Sequence, residues 1–335
     1  MRVAVDAMGG DYAPANVVAG ALLAARSSGV GVLLVGPRET VERELARHAD
    51  RAGLDVRVVD APDVVGMDEP SSAVLRDKRG ASVRVAAEVV GRGEADAFFS
   101  AGHTGATVMS AFATLGPLAG AERPALAAIV PTLSGTAILL DAGANVECRP
   151  QHLVQFGLLG SAYARVALGV PRPRVGLLSI GAEESKGNEL TREAHRLLKA
   201  TCPEFLGNVE ARDVYTGHAD VIVCDGFTGN VALKVSEGMV EAVEQALRDE
   251  LSRTLSGRIG YRLARGAFRA FRRRLDYSEY GAALLVGVAG LCFVGHGRSS
   301  VRAVRSGVRL AARCAREGLL RRLAQELAEP VSARG

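Results

Sequence analysis

The 335-residue sequence predicts an α/β fold, in which mostly parallel strands and helices form α/β/α layers. Short apolar runs recur along the chain, polar glycine-containing turns follow them, and segments with helical spacing come next. This repeated order is typical of parallel strands joined by helices. Hydrophobic residues make up 48% of the chain and charged residues 23%, which is enough apolar material for a large core and excludes a disordered chain.

The strands are expected at the apolar runs, because strands buried on both faces are almost continuously apolar. They cover residues 3–5, 32–35, 56–59, 97–100, 126–130, 137–140, 175–180, 221–224 and 291–294. The helices are expected between them, where apolar residues recur every three or four positions. They cover residues 15–25, 40–52, 82–91, 153–167, 189–199, 231–251 and 300–316. Pro14 stands at the start of the first helix, a position that proline favours.

We expect one catalytic α/β unit over residues 1–323 and a C-terminal tail over residues 324–335. The five cysteines are odd in number and scattered, without metal-site spacing, which favours a reducing cytoplasm. The first apolar run is too short for the core of a signal peptide. Residues 280–297 lack Asp, Glu, Lys and Arg but hold five glycines. They therefore predict buried strand and loop rather than a membrane span.

Five polar, glycine-containing turns follow predicted strands. They cover residues 6–11, 100–105, 141–145, 181–188 and 225–230. Ligands of open α/β sheets bind beyond the carboxyl ends of the strands, so we expect these turns to meet at one edge of the sheet. Glycine lets the backbone approach a ligand, and helix N-termini favour an anion such as phosphate. The alternative for any single turn is an ordinary capped helix start.

The candidate phosphate- or substrate-binding residues come from these turns and from the turn after residues 291–294. They are Asp6, Gly9, Gly10, Ser100, Gly102, His103, Thr104, Gly105, Asn145, Asn188, Thr228, Gly229 and His296. No turn matches the glycine fingerprints of nucleotide sites, so no cofactor is expected. A divalent metal on Asp6 and Asp11 is a less favoured alternative to turn capping, and no metal is expected. Cys224 is a second alternative, as a nucleophile, although a small buried residue is the preferred interpretation.

Seven segments resemble the PlsX family of phosphate acyltransferases. They are DAMGGDYAP (6–14), SAGHTGA (100–106), LLDAGANVECRP (139–150), EESKGNEL (183–190), GNVEARD (207–213), CDGFTGNVALK (224–234) and DYSEYGAALLVGV (276–288). The resemblance implies a fold related to isocitrate dehydrogenases and phosphotransacetylases, a homodimer and peripheral association with the membrane. It also implies transfer of a fatty acyl group from acyl carrier protein to inorganic phosphate, giving acyl phosphate for membrane phospholipid synthesis.

By the same resemblance, Lys186 and Asn230 match the family's proposed active-site lysine and asparagine. Three places depart from the family pattern: asparagine becomes His103, asparagine and glutamate become Ser179 and Ala182, and a GGAPL-like run is interrupted by Ala282 and Ala283. Two other functions therefore stay open. One is a short-chain phosphotransacetylase that uses coenzyme A thioesters, and the other is a catalytically weak scaffold for the membrane or the carrier protein.

An exposed basic, amphipathic arm is expected over residues 251–275, which hold eight arginines and no acidic residue. Leu, Ile or Phe recurs there at about every fourth position, and three glycines favour a break into two shorter helices. The expected contact residues are Arg258, Arg262, Leu263, Arg265, Phe268, Phe271 and Arg272. An anionic membrane surface, the acidic acyl carrier protein and dimer packing are the open alternatives. Nucleic acid is not expected, because no aromatic readout motif accompanies the arginines.

Overall fold

The computed structural model describes residues 1–268 and 280–328. The strands, numbered along the chain, are β1 (Arg2–Asp6), β2 (Gly31–Gly36), β3 (Val56–Asp60), β4 (Ala97–Ser100), β5 (Ala125–Thr132), β6 (Gly135–Leu140), β7 (Val175–Leu178), β8 (Phe205–Val209), β9 (Val221–Val223), β10 (Ala283–Val286) and β11 (Cys292–Val294). The helices are α1 (Ala15–Ser28), α2 (Arg38–Ala46), α3 (Ala73–Arg76), α4 (Ser82–Gly91), α5 (Thr104–Leu115), α6 (Pro150–Ala167), α7 (Glu189–Thr201), α8 (Gly226–Arg253), α9 (Leu255–Leu263), α10 (Val301–Arg316) and α11 (Leu319–Ala328).

The described strands form one sheet in the order β3-β2-β1-β4-β11-β10-β5-β6-β9-β7-β8. The first five strands of that order are parallel to one another, and so are the last four. Between them, β10 pairs antiparallel with β11 and β5, and β5 pairs antiparallel with β6. The two parallel groups therefore run in opposite directions. The predicted α/β class is confirmed, with an antiparallel centre that the sequence analysis did not anticipate.

The expected strands and helices are present with shifted ends. β8 lies outside the expected strands because the glycine and asparagine of FLGNV interrupt its apolar run. β10 lies within residues 280–297, the segment interpreted as strand and loop. α5 was not expected, because threonine, serine and glycine dilute its apolar pattern. α11 continues to Ala328, so residues 324–328 of the predicted tail are helical.

Apolar layers cover both faces of the sheet. One face packs against α1, α6, α7, α10 and α11. The other packs against α4 and α5 over the first parallel group, and against the start of α8 over the second. Alternate residues of β6 serve the two faces, with Ile138 in one core cluster and Leu139 in the other. This double coverage explains why the inner strands are largely apolar, whereas the edge strands β3 and β8 contain polar residues.

α8 leaves the body of the protein after its first turns. Gly226 and Gly229 are its buried residues, and the rest of the helix is partly or fully exposed. Its 28 residues correspond to a length of about 42 Å. Among the described residues, no helix combines the length and the apolar character that crossing a bilayer requires.

Candidate active site

Asp6 joins two of the predicted turns. Its buried carboxylate accepts hydrogen bonds from Ser82 Oγ at 2.6 Å and from Ser100 Oγ at 2.7 Å, and a third from the main-chain N–H of Met8 at 3.2 Å. Burial raises the pKa of Asp6, and these three hydrogen bonds oppose that rise. Asp6 and Ser100 were predicted to contact the substrate. In the structure the two side chains are hydrogen-bonded to each other, and this bond holds the turns after β1 and β4 together.

The turns after β1, β4 and β11 form one group, which we call the first loop cluster (residues 6–11, 100–105 and 295–300). A Cβ atom on Gly9 would lie 2.7 Å from the main-chain nitrogen of Gly102, so the two turns approach as closely as glycine permits. The main-chain N–H of Asp11 donates to the oxygen of Gly297 at 2.8 Å. Gly9, Gly10, Gly102 and His296, predicted from separate parts of the sequence, therefore belong to neighbouring turns.

His103 caps helix α5. Its Nδ1 accepts a hydrogen bond from the main-chain N–H of Ala106 at 3.2 Å, which places the proton of the neutral ring on Nε2. An asparagine oxygen can make the same capping bond. Histidine in place of the family's asparagine therefore preserves the cap of α5. Thr104 and Gly105 lie in the first turn of this helix.

Asp141 is the centre of a second group of turns, the second loop cluster (residues 141–145 and 225–230). One oxygen of its fully buried carboxylate accepts from the main-chain N–H groups of Leu126, Gly143 and Ala144, at 2.9 to 3.0 Å. The other accepts from the main-chain N–H and the side-chain amide of Asn145, both at 2.8 Å. Burial raises the pKa of Asp141 in spite of these bonds. The sequence analysis did not select Asp141, although an aspartate directly after a buried strand was the available signal.

Asn145 also donates to the main-chain oxygen of Pro124 at 2.6 Å. Both hydrogens of its amide are therefore used inside the protein. Because an anion needs a donor, this pairing argues against the direct phosphate contact expected for Asn145. Its main-chain oxygen accepts from Gly226 N–H at 2.8 Å, which joins the turn after β6 to the start of α8.

Asn230 lies at the start of the second turn of α8. Asp225 caps the helix, accepting from Thr228 N–H at 2.8 Å and from Thr228 Oγ1 at 2.7 Å. A Cβ atom on Gly229 would lie 1.9 Å from the main-chain oxygen of Asp141, so only glycine allows this helix to pack so closely on the turn. The Asn230 side chain is exposed beside Gly143, where an added Cβ would lie 3.5 Å from that of Asn230.

Lys186 lies on the exposed turn before α7. Within the described residues, its ammonium group forms no ion pair, whereas nearby Lys199 is paired with Glu184. Asn188 caps α7 by accepting from Thr191 N–H at 2.9 Å. A cavity of about 470 Å³ has Asn188 and Cys148 among its lining residues. The turn that carries Lys186 therefore lies close to Cys148, which follows the second loop cluster in the chain. The structure shows no direct contact between Lys186 and Asn230.

The expectation that all five turns meet at one sheet edge needs correction. Because the two parallel groups of strands run in opposite directions, the carboxyl ends of β1, β4 and β11 face one edge and those of β6, β7 and β9 face the other. Helix α8 connects the two clusters. It begins in the second, and its Glu241 approaches Arg298 of the first at 3.9 Å. Burial lowers the pKa of His296, and Glu237 of α8 opposes this shift.

Cys224 is fully buried, and its thiol donates to the main-chain oxygen of Asp141 at 3.5 Å. Burial, together with the charge of Asp141, raises the pKa of Cys224 well above its usual value. A thiol attacks as its thiolate, so this environment opposes a nucleophilic role. The preferred interpretation of Cys224 as a small buried residue agrees with the structure.

The arm contains α9 and the end of α8, with the break at Thr254, which caps α9. Leu255, Ile259 and Leu263 are 77%, 61% and 84% exposed. The rings of Tyr261 and Phe268 are 5.0 Å apart. Of the predicted contact residues, Arg258, Arg262, Leu263, Arg265 and Phe268 are described, whereas Phe271 and Arg272 lie outside the described residues.

The fold is that of the phosphotransacetylases. A phosphotransacetylase structure from Streptococcus pyogenes matches with a TM-score of 0.62 and 17% identity, covering 95% of this chain and 94% of that chain. The family model described as "Fatty acid synthesis protein" matches residues 1–322, and the chain belongs to that family. This membership confirms the resemblance found in the motifs.

Two curated relatives are named phosphate acyltransferase. The one from Geobacter sulfurreducens is 48% identical over 327 residues, which cover 98% of this chain and 94% of the relative. The one from Geotalea uraniireducens is 49% identical over 329 residues, which cover 98% of this chain and 95% of the relative. The similarity extends over almost the whole length of both proteins, so the loop clusters and the arm fall within it.

Proposed function

We propose that this protein transfers a fatty acyl group from acyl carrier protein to inorganic phosphate, giving an acyl phosphate for membrane phospholipid synthesis. One observation carries the proposal. Lys186 and Asn230 are exposed near the N-terminal ends of α7 and α8, where the side chains of Asn188 and Asp225 cap the two helices. Helix N-termini and a lysine favour an anion, and an asparagine amide can donate to a developing oxyanion. The names of the relatives agree with this chemistry.

The reaction joins a phosphate oxygen to the carbonyl carbon of the thioester and breaks the carbon–sulfur bond. Phosphate is partly dianionic near neutral pH, so it attacks without a strong base. The thiol that leaves has an ordinary pKa of about 8.5, so it departs as a thiolate and takes a proton from water afterwards. The site therefore needs to position the reactants and stabilise charge, rather than relay protons.

In this scheme, Lys186 offsets the charge of the bound phosphate, and Asn230 donates a hydrogen bond to the oxyanion of the tetrahedral intermediate. One oxyanion donor of this kind typically contributes about 3 kcal/mol to the transition state. Asp141 and Gly229 act indirectly, because they fix the N-terminal end of α8, which carries Asn230.

The decisive test is whether the purified protein forms acyl phosphate, trapped as the hydroxamate, when thioesters of acyl carrier protein and of coenzyme A are compared as donors. We expect a higher kcat/KM with the carrier-protein donor. A preference for short-chain coenzyme A thioesters would replace the proposal with a phosphotransacetylase activity. Absence of acyl phosphate with every donor would favour the scaffold alternative.

Two variants test the residue roles. Lys186→Ala should raise KM for phosphate and lower kcat, whereas Lys199→Ala, which removes an exposed and ion-paired lysine, is the matched control. Asn230→Ala should lower kcat by about 100-fold, which corresponds to the contribution of one oxyanion donor. Unchanged kinetics in both active-site variants would contradict the scheme.

A homodimer is part of the proposal. The exposed apolar residues Val231, Val235, Met239 and Val243 recur at every fourth position of α8, which is an unusually apolar surface for a helix without a partner. A second copy of the chain would cover it close to Asn230. Light scattering of the wild type should give twice the 35.0 kDa chain mass, and Val235→Glu with Met239→Glu should give monomers.

We also propose that the arm binds the membrane from the cytoplasm. α9 exposes Leu255, Ile259 and Leu263, and Arg258 and Arg262 lie on the same helix. Exposed apolar side chains beside arginines suit the interface of an anionic bilayer. The test combines Ile259→Glu with Leu263→Glu, which places two negative charges on the apolar residues of α9. These changes should abolish binding to anionic vesicles while turnover in detergent is retained.

A further inference from the structure

Helix α10 carries a row of arginines on one side. They are Arg302, Arg305, Arg309, Arg313 and Arg316. At 100° per residue, all five fall within an arc of about 80° and extend about 21 Å along the helix. α10 contains no acidic residue, and Arg321 and Arg322 continue the basic charge on α11. We call these seven residues the arginine stripe.

Three arginines of the stripe carry charge that the protein's described residues do not pair. Within the described part of the chain, Arg305, Arg309 and Arg316 form no ion pair. Other helices pair their arginines internally, as Arg84 does with Glu88 at 3.0 Å. Like charges three or four residues apart repel one another along a helix. A row of arginines in which Arg305, Arg309 and Arg316 form no ion pair with any described residue has the electrostatic character of a surface for an acidic partner.

The stripe differs from the arm in its apolar residues. Val304, Val308 and Leu310 of α10 are buried against the core. The exposed side of α10 therefore offers charge without apolar side chains that could enter a bilayer, whereas α9 exposes Leu255 and Leu263. An interfacial membrane helix requires both features. A flat, rigid, basic helix face is better suited to the acidic surface of a folded protein.

The stripe begins beside the first loop cluster. Ser300 caps α10, accepting from Ala303 N–H at 3.1 Å. The preceding turn contains Gly297, whose main-chain oxygen accepts from Asp11 N–H at 2.8 Å. A partner lying along the stripe would thus have one end next to the glycine turns of the first loop cluster. From there a flexible thioester arm would follow α8, which contacts this cluster through Glu241 and carries Asn230 near its other end.

We propose that the arginine stripe is the docking surface for the acidic acyl carrier protein, and that the arm does not serve this role. This inference rests on the proposed function, because it assumes that the acyl donor is the carrier protein. It separates the two basic regions by partner: α10 and the start of α11 hold the donor, and α9 meets the membrane. Charge pairing of this kind increases the rate of association and weakens with added salt.

The test compares the wild type with Arg305→Glu/Arg309→Glu and with a charge-matched control, Arg43→Glu/Arg51→Glu, in which two exposed arginines outside the stripe are reversed. The donors are palmitoyl-acyl carrier protein and palmitoyl-pantetheine, which has the same reactive group without the protein. We expect the stripe variant to raise KM for the carrier-protein donor at least tenfold. Its kcat/KM for palmitoyl-pantetheine and all constants of the control should stay within twofold of the wild type.

Salt dependence provides a second measurement. The KM of the wild type for the carrier-protein donor should rise steeply between roughly 50 and 300 mM salt, because added ions screen exposed charges, and it should rise less steeply in the stripe variant.

Fluorescence anisotropy measures the binding of unacylated carrier protein directly. This measurement tests docking even if no acyl phosphate is formed, so it distinguishes failure of docking from failure of the proposed function. Unchanged binding and KM in the stripe variant, or loss of vesicle binding in its place, would overturn the inference. Circular dichroism verifies that each variant is folded.

Discussion

Replacing Asp141 with asparagine should damage both stability and catalysis, because one carboxylate receives five hydrogen bonds in the second loop cluster. An asparagine has one oxygen, so its NH₂ group must face donors at one of the two oxygen positions. If it replaces the oxygen that Asn145 contacts, the main-chain and side-chain N–H groups of Asn145 both lose that acceptor. The side-chain amide retains its bond to Pro124.

The magnitude follows from those contacts. A buried donor without a partner costs about 1–3 kcal/mol, so two affected donors give about 2–6 kcal/mol. The neutral side chain also removes a buried charge, which offsets part of this loss. We therefore expect the free energy of unfolding to fall by about 2–3 kcal/mol. At about 2 °C per kcal/mol for a large chain, Tm should fall by about 4–6 °C.

Chemical denaturation and calorimetry measure the stability, and the hydroxamate assay measures kcat at a temperature where the variant is folded. We expect kcat to fall at least tenfold, because Asn230 lies next to Gly143, in the turn that the hydrogen bonds of Asp141 hold in place. Asp60→Asn is the control, since this exposed aspartate accepts one hydrogen bond from Arg38 N–H at 2.9 Å and asparagine can accept it too. An Asp141→Asn protein with wild-type Tm and kcat would refute the reasoning.

Three further predictions concern single side chains. Burial raises the pKa of Asp6, so the carboxyl group of Asp6 keeps its proton to a higher pH in the folded protein than in the unfolded chain. The free energy of unfolding of the wild type, measured by urea denaturation and compared with that of Asp6→Asn, should therefore decline as the pH is raised above 3.8. His103→Asn should keep the thermal stability of the wild type, whereas His103→Ala should lose about 1 kcal/mol of capping energy, and equal losses would contradict the capping role. Cys224→Ala should retain kcat, and inactivation of this folded variant would revive the acyl-cysteine mechanism.

Much of the fold was predictable because most strands are buried on both faces, although the edge strands β3 and β8 are not. β2, β9 and residues 3–5 of β1 are continuous apolar runs, and their positions follow from hydrophobic burial alone. β8 was not predictable in this way, because its glycine and asparagine interrupt the apolar run and the strand is recognised by its pairing with β7. The antiparallel centre depends on which strands become neighbours, and local sequence carries little information about that choice.

The candidate site shows the same division. The polar turns and the residues Lys186 and Asn230 were identified from the sequence, the latter two through the family motifs. The roles of Ser100 and Asn145 were not, because a hydroxyl or an amide looks the same in sequence whether it faces a ligand or a buried carboxylate. Only the three-dimensional contacts with Asp6 and Asp141 show that these side chains hold the turns in place.

The sequence by itself therefore determined the α/β class, the polar turns and the concentration of arginine toward the C-terminal end, because these depend on local pattern and composition. The tertiary structure decided how the turns are grouped, since reversal of strand direction at β10 and β5 separates them into two clusters connected by α8. It also distinguished two basic regions that composition alone could not separate. α10 directs its apolar side chains into the core and α9 leaves its own exposed, because packing against the sheet reaches one helix and not the other.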